Sequence, residues 1–225
     1  MKDRICKTES EKHLNDELVR LAVDFANVVE LDDKTYAPPS GFKLITQTCN
    51  DKENAVLIYA ARLWRPSGNP AAHVSGCMRA NDRAFNVQAF HSTGQSTLPG
   101  FVVVGAQYPH DIHVPILKDA IAQVRKATGY GRVLFIADTN QEQGTSIDVA
   151  EALEISGAST AQTSPMYESC CFKTAGGFKW DFDRIITNFG KITESSLMDE
   201  PLPSWAAISL HKGVHVTIQV DEATR

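Results

Sequence analysis

Residues 133–140 read Val133-Leu134-Phe135-Ile136-Ala137-Asp138-Thr139-Asn140, an apolar run that stops on an acid and an amide. An uninterrupted apolar stretch of this length predicts a buried strand. The Asp-x-Asn behind it sets two polar side chains where a rigid sheet meets solvent, which is where sites are built. The same arrangement recurs on both sides of it. Upstream, Phe101-Val102-Val103-Val104-Gly105 runs into Ala106-Gln107-Tyr108-Pro109-His110, and Asn27-Val28-Val29-Glu30-Leu31-Asp32-Asp33 reads as a short strand ending in acids. Downstream, the strand-like Asp183-Arg184-Ile185-Ile186-Thr187-Asn188 opens on an ion-pair dipeptide, and Ser209-Leu210-His211 precedes a last strand.

The rest of the chain fills in around these stretches. Leu14, Leu18, Leu21, Ala22, Phe25 and Val28 recur at spacings of three and four, and Thr8 with Glu11 fits a capping box, predicting a helix over residues 9–26. Pro38-Pro39-Ser40-Gly41 breaks the chain; residues 55–64 and 84–90 read as strands. Pro115 opens a helix that turns Leu117, Ala120, Ile121 and Val124 inward and stops near Gly129, and residues 147–155 form a short helix. Residues 206–210 read as a strand. Val214, Val216, Ile218 and Val220 alternate with polar residues, as in a strand with one buried face. Many strands with few helices predict an α/β fold: a four-layer sandwich of two mixed, mainly antiparallel sheets flanked by helices. Residues 1–225 form one domain in this reading, with no internal repeat.

Composition narrows the classes without naming a function. The 225 residues are 43% hydrophobic and 22% charged, enough for a core without metal or disulfide staples. With Lys+Arg 22 and Asp+Glu 27 the net charge is −5, so no pervasive basic field marks a nucleic-acid coat protein. No run approaches the ~18 apolar residues of a membrane span. Cys6, Cys49, Cys77, Cys170 and Cys171 are an odd, scattered set without C-x-x-C spacing, read as mostly reduced structural thiols in preference to a disulfide framework, and not as a zinc site. These thiols and the lack of an apolar leader favour an intracellular location, a start at Met1 being compatible with a leader already removed.

The order of the polar strand ends resembles the exonuclease–endonuclease–phosphatase superfamily, the deoxyribonuclease-I-like fold. Its pattern runs through a D-x-V-x-x-Q-E strand, a strand ending in His or Tyr, G-D-x-N, D-R-I or D-Y-I, and S-D-H-x-P-V. The stretches that are similar here are 27–33, 104–110, Ala137-Asp138-Thr139-Asn140, Trp180-Asp181-Phe182-Asp183-Arg184-Ile185-Ile186 and Ser209-Leu210-His211-Lys212-Gly213-Val214. The resemblance implies metal-assisted attack of water on a phosphate ester, with nucleic acid among the candidate substrates. It places Asp33 where an acid holds Mg²⁺ or Mn²⁺, Asp138 at the attacking water, Asn140 on a phosphoryl oxygen, and His211 on the phosphate with Asp183 fixing its tautomer. Gln107 and Arg184 are expected at the substrate. Trp64, Trp180, Phe178 and Tyr108 are candidates for stacking on a base.

The chain departs from the pattern at several points. Gln107 stands in place of His or Tyr, Leu210 in place of Asp, Ala137 in place of Gly, and Asp33 is one methylene shorter than Glu. No good strand with its terminal Asn is found around Arg4 to Thr8. These changes keep two alternatives beside the hydrolase: a catalytically impaired member of the fold that binds a ligand or partner, and a member repurposed for other metal-dependent chemistry.

Overall fold

In a computed structural model the chain builds two facing sheets whose inner surfaces carry the core at one end and polar groups at the other. The structure describes residues 2–31, 35–50, 53–94, 98–141, 145–155, 161–165, 167–170, 180–198 and 211–220, with the side chains of 2–7 and 53 left aside. Among these residues the first sheet orders β1 (Phe25–Val29), β3 (Glu53–Ala60) and β2 (Phe42–Cys49), all antiparallel. The second orders β4 (Trp64–Pro66), β6 (Arg83–Ser92), β7 (Phe101–Gln107), β8 (Val133–Asp138), β10 (Asp183–Thr187) and β9 (Gln162–Thr163), with β5 (His73–Met78) also on β6. Only β7–β8 is parallel, joined by α2 (Pro115–Thr128) as crossover. The hairpin of β11 (Lys191–Leu197) and β12 (Val214–Gln219) packs Val216, Ile218 and Val220 on the core between the sheets.

Period-two alternation sorts each strand of the second sheet into two layers. Phe90, Phe101, Val103, Leu134 and Ile185 face the first sheet and meet Phe25, Leu57 and Tyr59 there, with Phe25 edge-on to Phe90 at 5.0 Å and to Phe101 at 5.4 Å. Phe85, Val87, Val102, Val104, Phe135 and Ile186 face outward against Leu117, Ile121 and Val124 of α2 and Val149 and Leu153 around α3 (Ser146–Ala152). On the outer face of the first sheet, Leu14 and Leu18 of α1 (Lys2–Arg20) cover Val56, Ile58, Ala26 and Val28. The layers are therefore helix, sheet, sheet, helix, as the sequence predicts.

Two expectations change. The first helix spans Lys2–Arg20, so Thr8 and Glu11 lie inside it and form no cap at its start. It stops because Ala22 adopts φ 49° while Ala22 N–H donates to Val19 and Val23 N–H to Leu18, the paired bonds of a Schellman terminus. Phe25 and Val28, which continue the apolar period, belong to β1 instead. The cysteines are not all reduced. Cys49 on β2 is bonded to Cys77 on β5, with Cα atoms 5.9 Å apart, so the disulfide ties one sheet to the other. The expected strand at 206–210 lies outside the described residues.

The sheets are also stitched by polar contacts toward the end where the candidate site lies. Asn27 of β1 donates through Nδ2 to the Ala106 carbonyl of β7 at 3.2 Å. Its amide passes so close to Gly105 that a Cβ there would meet Asn27 Oδ1 at 2.5 Å. Gly105→Ala is expected to displace Asn27 and to cost about 1–3 kcal/mol in urea unfolding. In an Asn27→Ala background the same substitution should cost measurably less, a non-additivity that ties the loss to this contact.

Candidate active site

Pairing brings three polar strand ends into one row. Gln107 lies opposite Asp138 across β7–β8, and Asp138 lies opposite Asp183 across β8–β10. All three occupy inner-face positions, continuing the lines of Val103, Leu134 and Ile185. His211, bridged in backbone pairing to Cys170, donates from Nδ1 to Asp183 Oδ2 at 2.8 Å. One ligating atom from each of Asp138, Asp183 and His211 fits within a span of 4.8 Å. The structure thus gathers Asp138, Asp183 and His211, with Asn140 and Gln107 against them.

The acid that joins them from the first sheet is Glu30. Asp33, expected to hold the metal, lies outside the described residues, and β1 ends at Val29. Glu30 takes φ 56°, a left-handed turn that ends the strand's alternation. Its Oε1 accepts from Gln107 Nε2 at 2.6 Å and has Arg83 Nη1 at 3.9 Å. A countable signal pointed to this residue. Read from Asp24, the D-x-V-x-x-Q-E spacing reaches an acid at Glu30, with Ala26 and Val29 in place of Val and Gln.

Three of the expected site residues are engaged by groups of the protein itself. Gln107 is fully buried and donates an amide N–H to Glu30 Oε1, which holds that carboxylate in place. Arg184, 2% exposed, sits on the outer face because it neighbours inner-facing Asp183 on the strand. Its guanidinium is taken up by Asp181 Oδ2 at 3.2 Å, Ser146 Oγ at 2.6 Å and the Gln141 carbonyl at 2.9 Å, which fixes the chain before α3. Asn140 donates from Nδ2 to the Tyr108 carbonyl at 2.8 Å and to Asp138 Oδ2 at 3.1 Å, while its backbone N–H donates to Asp138 Oδ1 at 3.0 Å. Both amide protons hold Asp138 and the β7 end. The left-handed φ of 48° at Asn140, a conformation Asn adopts readily, folds it back into this arrangement.

The electrostatics follow from burial and crowding. Burial first, then the like charge of Asp183, pushes the Asp138 carboxyl up to about 7, against the lowering effect of His211 and the Asn140 N–H. For His211, burial alone would lower the imidazole. The hydrogen bond to Asp183 and the charges of Asp183, Asp138 and Glu30 outweigh it and lift the ring to about 9. At neutral pH the site therefore pairs a carboxylate poised to exchange a proton with a cationic imidazole.

Among the aromatics, Trp64 and Tyr108 are core residues, and Tyr108 donates its hydroxyl proton to the Ile112 carbonyl. Phe178 lies outside the described residues. Trp180 is 38% exposed and stacks on Phe182 at 5.9 Å and 15°, with His110 edge-on to Phe182 at 6.4 Å. A flat aromatic surface therefore stands just before the strand that carries Asp183.

No protein-family model and no curated protein matches the sequence. Solved structures match across nearly the whole chain. An endonuclease/exonuclease/phosphatase family protein from Bacteroides thetaiotaomicron superposes with a TM-score of 0.70 at 10% identity, covering 96% of this chain and 88% of its own. The human Nocturnin catalytic domain with bound sulfate gives 0.61 at 12% identity, covering 93% and 87%. ANGEL2, a 2′,3′-cyclic phosphatase in complex with adenosine-2′,3′-vanadate, gives 0.55 at 7% identity, covering 93% and 77%. The fold is that of the endonuclease/exonuclease/phosphatase proteins, and the sequence has diverged far from theirs.

Two outcomes follow from the geometry. Arg184→Ala strands Asp181 in the interior and should cost about 3–5 kcal/mol in chemical denaturation. Because His211 is raised above its ordinary 6.5 in the folded protein, its contribution to stability is complete below that value and lost as pH climbs through about 9. Thermal melts in metal-free buffer from pH 6 to 10 should show that decline, and Asp183→Asn should flatten it.

Proposed function

We propose that the chain is a divalent-metal-dependent phosphoesterase that hydrolyses a phosphate ester with an activated water. The observation that carries this reading is the Asp183–His211 pair at 2.8 Å set beside a second buried acid, Asp138. The donor set suits a hard cation. Three carboxylates face one imidazole, Asp138 is pushed upward first by burial and then by the like charge of Asp183, and Gln107 pins one oxygen of Glu30 while leaving the other. Glu30 would hold Mg²⁺ or Mn²⁺, whose chemistry is Lewis-acid neutralisation of the phosphate's charge.

The chain's own groups divide the remaining work. Asp138, oriented by two N–H bonds from Asn140, accepts the proton of the attacking water. His211, kept cationic by Asp183, donates from Nε2 to an oxygen of the phosphate as charge develops on it. Trp180 offers its face to a base, so a nucleotide ester, in nucleic acid or as a small molecule, is the substrate class. ANGEL2 in complex with adenosine-2′,3′-vanadate and Nocturnin with bound sulfate each hold a phosphate-like oxyanion, in keeping with this reading. A second reading, ligand binding without turnover, draws on one observation: His211 Nε2 lies 3.1 Å from Cys170 Sγ.

Hydrolysis of bis(p-nitrophenyl) phosphate should require Mg²⁺ or Mn²⁺, and Asp138→Ala or His211→Ala should lower kcat roughly 10²–10⁴-fold. Glu30→Gln should weaken Mn²⁺ binding in calorimetry. With Asp138 active as the base and His211 as the acid, turnover should rise through about pH 7 and fall above about 9. Metal-independent turnover that survives all three substitutions would overturn the reading.

A further inference from the structure

The layer that faces the second sheet is interrupted above β8. β3 lies over β6 and β7, β1 over β7 and β8, β12 over β10 and β11 beside β9, while among the described residues no ladder joins β1 to β12. Between those two strands the inner face of β8 shows through. Ile136 stands at the middle of that face, on a strand flanked by β7 and β10, and is only half-buried, whereas its register partner Ile185 is 8% exposed. An isoleucine left half-buried at the centre of a sheet marks an opening in the layer above it.

Both walls of this opening are strand edges with unused backbone groups. Ala60 N–H donates to the Asp24 carbonyl at 2.9 Å and Glu30 N–H to the Asn54 carbonyl at 3.4 Å, so in β1 it is Ala26 and Val28 that bond to β3. The N–H and C=O groups of Phe25, Asn27 and Val29 point the other way. On β12, Met198 N–H donates to the Gly213 carbonyl at 2.8 Å, which sets His215 and Thr217 in bond with β11 and turns Val214 and Val216 away. Among the described residues no backbone bond reaches these five. Every residue of β1 stays half-buried although α1 covers one of its faces and β7 the other. Phe25–Val29 also carries no charge and no proline, the usual guards of an edge. β1 runs toward Glu30 and β12 away from His211, so the opening ends between those two site residues.

We propose that this opening receives an extended strand of a partner protein, paired on one edge with β1 and on the other with β12. Each described strand of this chain is already paired within its own sheet, so the edge of a second copy could meet one wall but not both. A free segment about as long as β1 can meet both, by main-chain bonds on either side. Its side chains would alternate, apolar ones inward onto Ile136 and toward Val216, polar ones outward beside His215 and Thr217. Lying there, it would lace β1 to β12 next to Glu30 and His211. Pairing needs no turnover, so the inference stands apart from the phosphoesterase reading.

The test follows amide hydrogen exchange in the full ¹⁵N-labelled chain, with and without an acetylated, amidated peptide of sequence KVTVTVK at up to millimolar concentration. The peptide should slow exchange at Phe25, Asn27, Val29, Val214 and Val216 roughly tenfold or more and leave the central strands unchanged. The same peptide N-methylated at its valines, which blocks one edge, should give no protection. Val29→Pro deletes an edge N–H while sparing the bonds of β1 to β3, and should abolish the effect at Val214 and Val216. Val216→Pro, read at Phe25 and Asn27, is the second variant should the first not fold. Protection of these amides in the protein alone overturns the proposal, since the chain's own residues then fill the opening. Protection that grows with protein concentration assigns it to a second copy and overturns it too. So does an N-methylated peptide that protects equally, or the absence of protection at the highest concentration.

Discussion

Everything at the candidate site depends on the register of three neighbouring strands. The ladders β7–β8 and β8–β10 place Gln107, Asp138 and Asp183 in one line, and the same ladders place Val103, Leu134 and Ile185 in the core beneath. A slip of one residue in any of them would send an acid outward and an aliphatic chain into the site. The hydrophobic pattern that stabilises the sandwich is thus also what aligns its polar end. Packing and chemistry are specified by one set of hydrogen bonds.

Much of the polar inventory near the site is devoted to holding other polar groups. Gln107 steadies Glu30, Asn140 steadies Asp138, and Arg184 braces the far side of the strand that carries Asp183. These bonds give the donors of Gln107, Asn140 and Arg184 acceptors inside the fold, which offsets the penalty of burying them. The acids are left crowded and partly dehydrated, a condition that disfavours their charge and favours any cation able to share it. Such crowding costs local stability, and the surrounding amides keep the geometry from relaxing.

The sequence disclosed the interior strands because their apolar runs are long and end abruptly on polar residues, as at Phe101–Gln107 and Val133–Asp138. It was less open at the margins. Phe42–Cys49 and Lys191–Leu197 mix Thr, Ser, Lys and Gln with single aliphatics because one face is exposed, so they carry no strong strand signal. The end of α1 was hidden since Ala22, a good helix former, adopts the left-handed conformation there. Glu30 was passed over in favour of the acids at 32 and 33 because a positive φ, invisible in the sequence, turns it into the site. Arg184 could have been assigned to the opposite face from alternation alone. The Cys49–Cys77 pair, 28 residues apart, is adjacent only once the two sheets face each other.

That cross-link has a mechanical consequence. Cys49 closes β2 and Cys77 lies near the end of β5, so the covalent tie sits at one margin of the sandwich, joining its two leaves there. Leaves fastened along one margin separate like a book held at its spine, widest at the margin opposite. In this molecule sliding of one sheet over the other is therefore suppressed, and breathing motions are steered into rotation about the β2–β5 edge.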